Sequence, residues 1–159
     1  MSGGNLPDRA ERAAPDTSRS DDASGSAGAV PKAVLVVEDA ETCASALEIL
    51  FSSIAGLKII TASSAEHAWR LLEEDPAPIH ALVTDVQLPD MDGFELIARV
   101  RTHAPLANLP IIVITGSTDL DVAQRLRSCG ADAVFAKPYS PTLVRERLEQ
   151  FLDHDIRSR

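Results

Sequence analysis

The chain has 159 residues, 45% of them hydrophobic, and a net charge of −9. That length suits one domain with room for its own core, and the acidic balance excludes the basic face that non-specific nucleic-acid binding needs. Cys43 and Cys129 lie far apart with no Cys-x-x-Cys spacing, which excludes a disulfide framework and a zinc site. Residues 1–30 are mostly Ser, Gly, Ala, Asp, Arg and Pro. They cannot bury enough apolar surface to offset their ordering entropy, so a disordered N-terminal tail is expected there. The start lacks the pattern of a signal peptide and no later run is long enough to span a bilayer, so the protein is read as soluble and cytoplasmic.

From Ala33 to Val37 a continuous β-branched run predicts a strand covered on both faces. It ends at Glu38 and Asp39. Apolar residues at Cys43, Ala46, Leu47, Leu50, Phe51 and Ile54 then recur at three and four, predicting a helix that Gly56 stops. Leu57 to Thr61 reads as the second strand. Ser63-Ser-Ala-Glu66 is a capping-box pattern opening the next helix, whose stripe of Ala65, Ala68, Trp69 and Leu72 places Trp69 in the core. The third strand, Ile79 to Thr84, delivers Asp85. Phe94, Ile97 and Val100 mark a third helix, and Ile111 to Ile114 a fourth strand ending at Thr115.

Thr118 and Asp121 are expected to cap a fourth helix carrying Val122, Ala123, Leu126 and Cys129, with Gly130 as its stop. Both cysteines thus fall on apolar stripes and are expected to pack as small buried hydrophobes. Ala133 to Ala136 reads as the fifth strand, ending at Lys137-Pro138. Ser140 and Pro141 are an N-cap and first-turn proline opening the last helix. Strands alternating with helices predict an α/β fold: a doubly wound five-stranded parallel sheet in the flavodoxin-like order 2-1-3-4-5 with helices on both faces. The domain is expected over 31–155, with a C-terminal tail over 156–159.

In that strand order Glu38, Asp39 and Asp85 converge on one rim, where ligands bind in open α/β sheets. Carboxylates so close repel unless one is protonated or a cation intervenes. A hard divalent ion with an incomplete oxygen shell, Mg²⁺, is the natural partner. Thr115 and Lys137 arrive at the same rim as donors for an anion, which a phosphoryl group on Asp85 would supply. Taken singly, Lys137 could be a solvated charge, Thr115 a β-branched strand residue and Glu38-Asp39 an acidic helix start. Their joint placement at successive strand ends favours the chemical reading.

Val34-Leu-Val-Val-Glu-Asp39, Val83-Thr-Asp-Val-Gln-Leu-Pro-Asp-Met-Asp-Gly-Phe-Glu-Leu96, Ile112-Val-Ile-Thr-Gly116 and Gly130-Ala-Asp-Ala-Val-Phe-Ala-Lys-Pro-Tyr139 together resemble the receiver domains of bacterial two-component response regulators. The resemblance covers about Ala33 to Leu152. It implies that Asp85 accepts phosphoryl from a partner histidine, that Glu38, Asp39, Asp85 and the Gln87 carbonyl hold Mg²⁺, and that Thr115 and Lys137 bind phosphate oxygens. It also implies a cis bond between Lys137 and Pro138. The implied partners are a histidine kinase or phosphotransfer protein, and a downstream protein on the face of helix 4, strand 5 and helix 5. No activity is implied beyond the domain's own phosphorylation and dephosphorylation. Two residues depart from the family pattern. Glu38 stands where Asp is commoner, and Val134 stands where Tyr or Phe usually turns inward on activation, with Phe135 one place later and on the opposite face.

Rival readings fit less well. A phosphatase of the haloacid dehalogenase type expects an Asp-x-Asp pair on its first strand, which Val37-Glu-Asp39 does not supply. A calcium loop at Asp90-Met-Asp-Gly93 would place Leu88 and Arg99 at its first and last ligand positions. No second hydrophobic pattern follows the last helix, so the expectation is a single-domain regulator. A phosphorylation-independent scaffold and a receiver fragment of a larger regulator are the alternatives.

Overall fold

The apolar runs form one five-stranded parallel sheet in the order β2-β1-β3-β4-β5, as the alternation predicts. The structure, a computed structural model, describes residues 31–158, with side chains through residue 154. The tail expected over 1–30 lies outside the described residues. In chain order the elements are β1 (Lys32–Val37), α1 (Glu41–Ser52), β2 (Leu57–Ala62), α2 (Ala65–Glu74), β3 (Ile79–Asp85), α3 (Gly93–Thr102), a 3₁₀ turn (Ala104–Leu106), β4 (Ile111–Thr115), α4 (Leu120–Cys129), β5 (Ala133–Ala136) and α5 (Pro141–Ser158). The last helix runs past residue 155, where the sequence reading closes the domain, because nothing after Pro141 breaks it.

Strand alternation sorts the core into two layers. Leu35, Val37, Leu82, Ile111 and Val113 face the side covered by Ala65, Ala68 and Leu72 of α2, Leu96, Ile97 and Val100 of α3, and Leu126 of α4. Val34, Val36, Ala81, Val83, Ile112 and Ile114 face Leu47 and Phe51 of α1 and Val144, Leu148 and Leu152 of α5. Val34, Leu35, Ile111 and Ile112 are wholly buried. Each such side chain contributes roughly 1.5–3 kcal/mol of transfer free energy.

The helix starts differ from the sequence reading by one residue. Ser64, not Ser63, is the N-cap of α2: its backbone is extended (φ −145°, ψ 159°) and its hydroxyl accepts the His67 amide at 3.1 Å. Glu66 therefore sits too early to close a capping box. Likewise Asp119, not Thr118, caps α4 by accepting the Asp121 amide at 2.9 Å. The core assignments of both cysteines also change. Cys129 ends α4 and is exposed, and Cys43 is half-buried. Trp69 packs against the core as expected, half-buried between the Arg99 guanidinium, 5.8 Å from its ring centroid, and the His103 ring at 5.5 Å.

Candidate functional site

The C-terminal ends of β1, β3, β4 and β5 assemble the site. Glu38 follows β1 directly and its amide donates to the Ala62 carbonyl of β2 at 3.0 Å, so the side chain leaves the sheet already inside the rim. Glu38 and Asp85 are buried, whereas Asp39 is exposed. One carboxylate oxygen from each of Glu38, Asp39 and Asp85 lies within 4.8 Å of the others. These hard oxygen donors, partly open to solvent through Asp39, fit a divalent cation.

Lys137, one residue beyond β5, reaches across the sheet. Its Nζ donates to Asp85 Oδ2 at 3.0 Å and to Glu38 Oε1 at 3.4 Å. The remaining oxygens are also held: Asp85 Oδ1 accepts the Gln87 amide at 3.1 Å, and Glu38 Oε2 accepts the Ala40 amide at 3.2 Å. Gln87 thus sits beside the cluster with its side chain exposed. Thr115 is buried at the end of β4; its carbonyl accepts the Lys137 amide at 2.7 Å and its hydroxyl accepts the Ser117 amide at 3.1 Å. The Lys137–Pro138 peptide is cis.

The charges are out of balance without a cation. Burial raises the Glu38 carboxyl above its ordinary value, and the Asp85 charge adds to this against the Ala40 amide and Lys137. Burial opposes the Lys137 ammonium, but the hydrogen bond and charge of Asp85, with the charge of Glu38, outweigh it and raise its pKa. One ammonium pairs with two of the three clustered carboxylates, so the site retains an appetite for positive charge.

The sequence matches the family model of the response regulator receiver domain over residues 34–149. The chain belongs to this family. As a receiver domain of two-component systems it is 28% identical over 122 residues to a chemotaxis protein CheY homolog of Campylobacter jejuni, spanning 75% of this chain and 91% of that protein. It is 35% identical over 123 residues to the transcriptional regulatory protein GltR of Pseudomonas aeruginosa, spanning 76% of this chain but 49% of that protein. Among solved structures it is similar to a putative response regulator from Chloroflexus aurantiacus, with 33% identity and a TM-score of 0.71 over 77% of this chain and 98% of that one.

Within this receiver domain the structure brings Glu38, Asp39, Asp85 and Lys137 together and sets Thr115 and Gln87 beside them. At β5 the two side chains face opposite layers, as alternation predicts. Val134 packs on the layer of α2, α3 and α4, and Phe135 on the layer of α1 and α5. Three contributors are absent from the sequence reading. The Thr84 hydroxyl donates to the Asp85 carbonyl at 2.9 Å. Gly93 donates its amide to the Val86 carbonyl at 2.7 Å and packs so closely that a Cβ would lie 2.8 Å from Val86 Cα and 2.9 Å from the Asp85 oxygen. Asp90 tethers the same loop to α2. The Pro-Asp-Met-Asp-Gly run signals a turn, but only the fold shows what each residue holds.

Proposed function

We propose that Asp85 accepts a phosphoryl group from the phosphohistidine of a histidine kinase or phosphotransfer protein in a cytoplasmic signalling pathway, and that the chain signals through protein contacts rather than acting on a second substrate. The observation that carries this reading is the 3.0 Å pairing of Lys137 Nζ with Asp85 Oδ2 inside a cluster of three carboxylates. It is the arrangement expected of a carboxylate nucleophile paired with an ammonium and flanked by a cation-binding shell.

Glu38, Asp39, Asp85 and the Gln87 carbonyl would hold Mg²⁺, which supplies charge neutralisation on the phosphoryl oxygens when bound. The Asp85 carboxylate, fixed by hydrogen bonds to both oxygens, attacks phosphorus. The donor's P–N bond breaks, its electron pair returns to the imidazole, and an acyl phosphate forms on Asp85. Lys137 donates to a phosphoryl oxygen of the product. The Thr115 hydroxyl uses a lone pair to accept the Ser117 amide, which leaves its O–H to donate to a second phosphoryl oxygen. The new charge draws both groups, and with them the segments after β4 and β5, toward Asp85. The face of α4, β5 and α5 is the surface that reports this change to a partner. Leu120 and Leu143, exposed large apolar residues of α4 and α5, supply apolar contact there.

Acetyl phosphate, a small phosphoryl donor, tests the chemistry without a partner. Intact-mass measurement should show one phosphoryl group gained with Mg²⁺ and none in excess chelator. Undiminished transfer in chelator would overturn the metal-dependent reading.

A further inference from the structure

The loop from Val86 to Asp92 carries the Gln87 carbonyl, and its acidic residues first invite a calcium-loop reading. The structure gives both carboxylates other work. Asp92 caps its own helix, accepting the Glu95 amide at 2.9 Å. Asp90 reaches away from its helix instead. Its Oδ1 accepts the Ala65 amide at 3.1 Å and its Oδ2 the Glu66 amide at 2.8 Å, so both oxygens are spent on the first two residues of α2.

That contact joins two segments more than twenty residues apart. Ser64 takes the third amide of the same turn, so Asp90 and Ser64 together satisfy the first three amides of α2. Two ionic hydrogen bonds to a helix N-terminus form a strong and directional tie, favoured also by the helix dipole. In keeping with this, burial opposes the Asp90 carboxylate, but the amides of Glu66 and Ala65, with those of Asp90 itself and Met91, outweigh it and hold the carboxyl below its ordinary value. The loop is thus fastened at three places: Gln87 to Asp85 at its start, Asp90 to α2 in its middle, and Gly93 to Val86 at its end.

We propose that Asp90 is a positioning residue for the cation site, holding the loop that presents the Gln87 carbonyl against the fixed N-terminus of α2. The proposal rests on the reading of Glu38, Asp39, Asp85 and Gln87 as Mg²⁺ ligands. Without the tie the loop keeps only its two ends, and one ligand of the shell must be ordered when the ion arrives. Groups that orient ligands in this way are worth on the order of tenfold in metal affinity.

The test compares wild type, Asp90→Ala, Asp90→Asn and Ser64→Ala by NMR titration with MgCl₂ alone, and by thermal unfolding. Ser64→Ala removes a cap from the same helix end without touching the loop. Wild type should bind Mg²⁺ with shifts at Asp85 and Gln87. Asp90→Ala should bind roughly tenfold more weakly, Asp90→Asn, with one oxygen in place of two, should fall between, and Ser64→Ala should unfold earlier yet bind as wild type does. Equal Mg²⁺ affinity in wild type and Asp90→Ala would overturn the positioning role while leaving the metal site standing. Equal weakening in Ser64→Ala would show that helix fraying, not loop placement, is responsible, and would overturn it too. A wild type that takes no Mg²⁺ would remove the metal site and the proposal together.

Discussion

Lys137 is the counter-ion of Asp85: its ammonium lies 3.0 Å from Oδ2, with its side chain 32% exposed and that of Asp85 10% exposed. The same ammonium is 3.4 Å from Glu38, so one cation restrains two carboxylates from adjacent strands. Its amide is tied to the Thr115 carbonyl at 2.7 Å. A charge change at Asp85 therefore acts on the end of β5 and, through it, on the end of β4.

Lys137→Ala leaves Glu38 and Asp85 facing each other with no ammonium. The pair is neither fully buried nor fully exposed, so the loss is expected between those limits, about 1–2 kcal/mol in metal-free buffer, and smaller with Mg²⁺ present. Urea unfolding with and without Mg²⁺ measures both. The variant should still take phosphoryl from acetyl phosphate, but phosphorylation should no longer alter partner binding. Phosphorylated variant that binds its partner as tightly as phosphorylated wild type would contradict this.

Glu38 gives the site a pH dependence with a defined sign. Its pKa is raised above the ordinary 4.5, first by burial and then by the Asp85 charge. The folded protein thus holds this proton more tightly than the unfolded chain. In the metal-free protein the associated stability is fully present below about 4.5 and is lost as pH rises through the folded value. The proton also competes with the cation, so Mg²⁺ affinity should rise over the same range. Glu38→Gln should flatten both profiles. Calorimetric titration and thermal unfolding across that range check them.

Gly93→Ala places a methyl carbon 2.8 Å from Val86 Cα and 2.9 Å from the Asp85 carbonyl oxygen, and neither backbone atom can rotate aside. Overpacking of this kind costs about 1–3 kcal/mol. The displaced segment carries Asp85, so phosphorylation by acetyl phosphate should slow as well. Denaturant unfolding and the phosphorylation rate report the two effects separately.

Much of this is legible in the amino-acid sequence, for a physical reason. Buried parallel strands are continuous apolar runs, so the polar residue ending each run stands out, and Glu38, Asp85, Thr115 and Lys137 are such residues. Caps were less legible. In Ser63-Ser64 and Thr118-Asp119 two adjacent side chains can both accept amides, and the backbone selects the second. The Asp90 tie was invisible because its partners are distant in sequence. Cys129 falls at the margin of its apolar stripe, and neighbouring helices decide how much of it is covered. Gly130 read only as a helix stop, yet its carbonyl accepts the Arg101 Nη2 at 2.7 Å, and a Cβ on it would meet that side chain.

Val134 lies in register with Val113, two residues before Thr115 in β4, on the layer of α2, α3 and α4. Valine is too short to occupy two sites a ring's length apart, and its χ1 is stiff. Phe135 cannot substitute, because it packs on the opposite layer. An equilibrium is shifted only by interactions that differ between its states, so the response should centre on the segment after Thr115. On phosphorylation, amide shift changes should concentrate at residues 85–93 and 116–123, with little at Val134 and Phe135. A large change centred on those two residues, with tighter partner binding, would show that β5 switches.

The central claim is that Asp85 is the phosphoryl acceptor, and mapping the modified residue tests it most directly. Wild type and Asp85→Asn are treated with acetyl phosphate and Mg²⁺, the acyl phosphate is trapped by borohydride reduction, and the peptides are sequenced by mass spectrometry. The account predicts one reduced residue, at Asp85, and none in Asp85→Asn. A stoichiometric acid-labile adduct on Asp85→Asn, or trapping at Asp39 or Glu38 in the wild type, would contradict it.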